Sequence, residues 1–100
     1  MISGELFECR LETEVGAIEV LAEVRVDGTL IELHDIVVYP ATDHALAVGA
    51  ASLLSAARSQ VFSEFVLLGF ETLLVTGTRL TGSRPGRRVR VRIDLLREVS

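Results

Sequence analysis

Lysine and asparagine are absent from this chain, and cysteine occurs once, at Cys9. A single cysteine excludes an internal disulfide framework, and with only two histidines it also excludes a Cys/His zinc module. Without lysine, all ten basic residues are arginines. The missing asparagine makes this read as a GC-rich coding bias, so arginine-only basicity is weak evidence for a phosphate site. Long apolar runs are missing as well. The most membrane-like stretch, Ala45 to Ala57, is 13 residues long and is closed by Arg58. A membrane span needs about 20 apolar residues, so this stretch reads as a buried helix. The opening residues MISGELFECRLE hold neither a basic nor an apolar signal-peptide region. A soluble cytoplasmic protein with no membrane partner is expected.

What is present favours a folded core. Apolar residues make up 49% of the 100 residues and charged residues 24%, with a mean hydropathy of +0.44. Disorder is thereby excluded, and a single domain over residues 1–100 is expected. The net charge of −4 argues against a general nucleic-acid binder. Its distribution says more than its sum. Residues 1–57 hold ten acids and two arginines, whereas residues 58–100 hold eight arginines and four acids. Such halves can neutralise each other within one chain or between two copies, or the basic half can face an anion.

Leu6 to Thr13 alternates, with Phe7, Cys9 and Leu11 on one face, and reads as a half-buried strand. Ala17 to Asp27 alternates again. Asp27-Gly28 then signals a tight hairpin, with Val24 opposite Ile31, Ala22 opposite Leu33 and Ile18 opposite Val37. This register sets Val20 opposite Asp35, a carboxylate on the core side, which calls for a bulge near His34-Asp35. Pro40 ends the third strand. Thr42 as N-cap and Asp43 in the first turn open a helix that runs to about Leu68, where Gly69 stops it. Phe70 to Leu80 and Arg87 to Leu96 complete a β-β-β-α-β-β order. The expected architecture is α+β: an antiparallel sheet of about five strands packed on one long helix.

That helix has apolar residues on two faces. A sheet covers only one of them, so Val48, Ala51, Leu54, Phe62 and Val66 on the second face are expected to meet another copy in a homodimer, or a protein partner. The fifth strand alternates Arg88, Arg90 and Arg92 with apolar residues. If Val75 faces Val91, then Thr72, Leu74, Thr76 and Thr78 share the arginine face. Like charges about 6.5–7 Å apart repel and need acids beside them. Glu8 and Glu12, or Glu19, Glu23 and Glu32, are the candidates; otherwise the arginines are open to an anion or an acidic partner. His34 and Asp35 are strand neighbours, so they are expected to point to opposite faces and not to form a dyad. His44 is placed at a helix start, where no orienting partner is evident. Cys9 reads as a small buried hydrophobe, and Gly77 as the mark of a twist or bulge. No phosphate loop, metal-spaced carboxylate cluster, nucleophile elbow or RNA-binding aromatic platform is present, so no catalytic residue, metal or cofactor is expected.

The last third, GFETLLVTGTRLTGSRPGRRVRVRIDL, carries Gly69, Phe70, Gly77, Arg79, Thr81, Gly82, Pro85, Gly86 and Arg87. In these residues it resembles the C-terminal end of certain bacterial polymorphic-toxin domains. The resemblance implies a toxin-like domain acting on nucleic acid or another cellular target, with Arg79 and Thr81 as the suspects. The acidic front half and the apolar helix depart from that picture. Two readings follow: a small bacterial homo-oligomeric binding protein without catalysis, whose anion- or partner-binding residues are Arg79, Thr81, Arg88, Arg90 and Arg92, and a nuclease-type toxin domain.

Overall fold

Alternating apolar and polar residues give three successive strands. The computed structural model, which describes residues 2–14, 16–40, 50–78 and 88–99, shows them as β1 (Leu6–Thr13), β2 (Gly16–Asp27) and β3 (Leu30–Pro40). Asp27 pairs with Leu30, so the hairpin loop is Gly28-Thr29, and Gly28 alone takes the positive φ of 60°. This moves the register by two residues from the expected one: Val24 faces Leu33 rather than Ile31. Strand side chains alternate with a period of two, so the shift leaves the apolar face intact. Further along, the ladder slips between Leu21 and Glu23, where Asp35 and Ile36 of β3 stand against Ala22, and Asp35, at φ 53°, is skipped by the β4 ladder as well. The bulge expected at His34-Asp35 is there.

The helical stretch is broken. α1 (Ala50–Gln60) and α2 (Phe62–Leu67) are separated by Val61, whose φ of −127° leaves the helical range. The expected start of the helix, with Thr42, Asp43 and His44, lies outside the described residues. Its stop is as expected. Gly69, at φ 97°, donates to the Val66 carbonyl while Phe70 donates to that of Phe65, so a glycine closes the helix with two reverse-turn hydrogen bonds. Two strands follow, β4 (Thr72–Thr78) and β5 (Arg88–Asp94). The final strand is shorter than expected, because Asp94 accepts a hydrogen bond from the Leu96 amide at 3.2 Å and so caps α3 (Leu95–Val99).

The five strands lie in sequence order, β1-β2-β3-β4-β5. β3 and β4 are parallel and the other pairs antiparallel, so the sheet is mixed rather than purely antiparallel. The helical crossover explains this. A chain that leaves β3, runs back along the sheet and re-enters beside it must run in the same direction as β3. Among the described residues the fold is thus α+β with three short helices rather than one long one.

Ile18, Val20, Ala22 and Val24 of β2, Ile31 and Leu33 of β3, Leu73 of β4 and Ile93 of β5 form one buried cluster with Phe62, Phe65 and Leu95 from the helices. The Phe65 ring lies 5.7 Å from that of Phe7 in a tilted arrangement. Phe62 is only 1% exposed, which removes it from the expected outward helix face. The break at Val61 re-aims α2, so a periodicity continued from Val48 and Ala51 no longer applies to Phe62 or Val66. Leu54 and Val66 are half-buried against the same core. Val48 and the Ala51 side chain lie outside the described residues.

Candidate functional site

The sheet face opposite the core is polar. Glu23 and Arg25 of β2 stand beside His34 and Glu32 of β3, whose parallel neighbour β4 brings Leu74 and Thr76. On β5, Val91 faces Val75, the condition under which the threonines share the arginine face, and this aligns Arg92 with Leu74, Arg90 with Thr76 and Arg88 with Thr78. The threonines and arginines therefore share this face.

At its centre is a hydrogen-bonded cluster. His34 Nδ1 lies 2.8 Å from Glu32 Oε2, and His34 Nε2 lies 3.3 Å from Asp35 Oδ2. The Thr76 hydroxyl is 3.1 Å from His34 Nδ1 and 3.4 Å from Glu32 Oε2, and it accepts a 3.4 Å hydrogen bond from the Asp35 amide. Arg88 Nη2 reaches Asp35 Oδ1 at 3.4 Å. The side chains of His34 and Glu32 are about four-fifths buried, whereas Asp35 and Arg88 are mostly exposed. The inner pair is thus shielded, and the outer ion pair is screened by solvent and contributes little.

The bulge makes this arrangement. Adjacent residues of a regular strand point to opposite faces, which is why the sequence reading keeps His34 and Asp35 apart. Asp35, in the left-handed region and skipped by both ladders, instead turns its carboxylate to the same side as the imidazole. The signal for this was the carboxylate in a core position opposite β2. Both ring nitrogens face carboxylates, so neither stands open to take a proton from a substrate.

The arginines are neutralised less than a salt-bridged face requires. Strand order sets β1 and β5 at opposite edges, four spacings or about 19 Å apart, so Glu8 and Glu12 are out of reach. Glu19 and Glu23 on β2 lie three strands from β5, and Glu32 is held by His34. Among the described residues, the carboxylate that reaches a β5 arginine is that of the bulged Asp35, which meets Arg88. Arg90 and Arg92 are exposed and have no ion-pair partner among the described residues. Arg79 and Thr81 lie outside the described residues.

Two glycines of the last third, Gly69 and Gly77, have local structural reasons. Gly69 closes α2, and a Cβ at Gly77 would stand 2.7 Å from Ile36 Cγ2 and 3.0 Å from the Ile36 carbonyl oxygen. The same bulge drives Ile36 against β4, so that strand needs a residue without a side chain there. Among the described residues no cluster of histidine, cysteine and carboxylates is suited to a metal ion, and no helix is long and apolar enough to cross a membrane. No protein-family model, no curated protein and no solved structure matches the chain.

Proposed function

We propose that this chain is a self-associating binding protein without catalysis, and that it holds an acidic protein segment along β5. The observation carrying this is the pair Arg90 and Arg92, exposed and without a carboxylate partner among the described residues. With Arg88 they form a line about 13–14 Å long. A line of guanidinium groups along a strand suits an extended acidic chain, whereas a small anion needs donors that converge. The acidic first half of the chain argues against a nucleic-acid backbone as the partner. The test is fluorescence anisotropy of a labelled Glu/Asp-rich peptide at low salt. Saturable binding that weakens at least tenfold in Arg90→Ala/Arg92→Ala, and fades as salt rises, supports the proposal. Equal binding by both proteins, or none, overturns it.

A second reading, phosphodiester cleavage by a toxin-like domain, is favoured by one observation: Asp35 joins Arg88 to His34. It requires RNA or DNA cleavage that is lost in His34→Ala while the fold is kept. The carboxylates on both ring nitrogens weigh against it.

A further inference from the structure

The Gln60 side chain shows where the edge of the sheet is open. Its Oε1 accepts from the Glu12 amide and its Nε2 donates to the Glu12 carbonyl, both at 2.9 Å. The amide thus occupies the position a neighbouring strand would take at Glu12. In an antiparallel ladder, alternate residues turn both backbone groups the same way. If Glu12 turns its groups outward, so do Arg10, Glu8 and Leu6, and no described group covers those three. A cleft of about 410 Å³ runs beside this edge, lined by Glu5, Phe7, Glu8, Cys9, Val61 and Glu64 among others, so the helices do not close it off.

The charges along β1 suit one occupant. Glu8 and Arg10 lie two apart on the outer face with opposite charge, and the Glu8 carboxylate has no ion-pair partner among the described residues. Among the described residues Arg10, which stands opposite Glu19 of β2, has its ion pair with Glu12 of its own strand, at 3.5 Å with both side chains mostly exposed, a contact that is readily exchanged. A two-fold axis through Cys9 would set each Glu8 opposite the other copy's Arg10 and place the outward backbone groups of these two residues in hydrogen-bonding register, and the ladder would end there, because Leu6 would face the other copy's Glu12, whose groups Gln60 already holds. On β5 the same operation would set arginine against arginine, so that edge is charged against self-pairing.

We propose that two copies pair β1 with β1, antiparallel about Cys9, so that the two sheets become one and Glu8 of each copy meets Arg10 of the other. This rests on the self-association reading and names its interface. It replaces the helix face of Val48, Ala51, Leu54, Phe62 and Val66 with a sheet edge.

The experiment is light scattering on the full chain from 1 to 200 µM, with Glu8→Arg, Arg10→Glu and the double exchange. Wild type is expected to approach twice the monomer mass of 10.9 kDa. Each single variant should remain monomeric and still unfold cooperatively, because the affected groups are exposed, with a melting temperature that does not depend on concentration as the wild-type dimer's does. The double exchange restores the dimer, and an equimolar mixture of the two single variants forms a heterodimer, since both cross-strand pairs are again of opposite sign. A wild-type monomer throughout overturns self-association and the interface together. A dimer indifferent to both single variants overturns the β1 interface alone.

Discussion

His34 Nε2 and Asp35 Oδ2 lie 3.3 Å apart on one side of the sheet, although the two residues are adjacent along β3. Only a backbone excursion brings neighbours together in this way, and Asp35 provides it at φ 53°. Aspartate tolerates the left-handed region better than most residues, and a β-branched residue tolerates it least. Asp35→Gly and Asp35→Asn should therefore fold about as stably as wild type. Asp35→Ala should lose about 1 kcal/mol and Asp35→Val about 2 kcal/mol or more, by urea denaturation. Equal stability of the valine and glycine variants would show that the bulge is not held at that position.

The bulge has a second consequence across the ladder. A Cβ at position 77 would sit 2.7 Å from Ile36 Cγ2, closer than packed carbon atoms come, and 3.0 Å from a backbone oxygen that cannot step aside. Gly77→Ala should cost about 1–3 kcal/mol, the usual range for overpacking. Ile36→Ala removes the side-chain clash and leaves the carbonyl contact. The double variant should therefore recover part of the Gly77→Ala loss relative to Ile36→Ala alone, and full additivity would contradict this geometry.

Gln60 guards the end of an exposed edge strand. Gln60→Ala deletes both hydrogen bonds to Glu12, at an expected cost of about 1 kcal/mol because water replaces them. The sharper readout is local. Amide exchange at Glu12 should accelerate while that at Leu11, which faces β2, stays slow. Acceleration of both would mean that the strand is lost rather than uncovered.

Much of this fold was legible in the sequence, and the parts that were not share a cause. Strand alternation marked out β1 and the arginine face of β5, because each depends on neighbours two residues apart, whereas the shared face of Thr76 and Arg90 followed only on the condition that Val75 meets Val91. Gly69 as the helix stop is equally local. The parallel pairing of β3 and β4 depends on where a crossover re-enters the sheet, and the break at Val61 depends on packing Phe62 and Phe65 inward. Neither is a property of a short window. The site falls between these cases. The misplaced carboxylate of Asp35 pointed to a bulge, but not to the side on which the bulge would leave it. The missing charge partners of Arg90 and Arg92 became visible only with the strand order, which sets Glu8 and Glu12 at the far edge.

Cys9 makes a prediction in pH. Burial pushes its thiol above the ordinary range, and the carboxylates of Glu19 and Glu64 add to the shift by opposing a thiolate. A group whose pKa is raised on folding stabilises the fold below its unfolded pKa, and that contribution is lost as pH rises toward the folded value. Alkylation of native Cys9 by iodoacetamide should therefore lag behind that of the unfolded chain at pH 8 and accelerate only at higher pH. Glu64→Gln removes one of the opposing charges and should move the alkylation profile to lower pH, without reaching that of the unfolded chain, because the larger cause, burial, remains. A native profile that coincides with the unfolded one would contradict the half-buried placement of this thiol between β1 and α2.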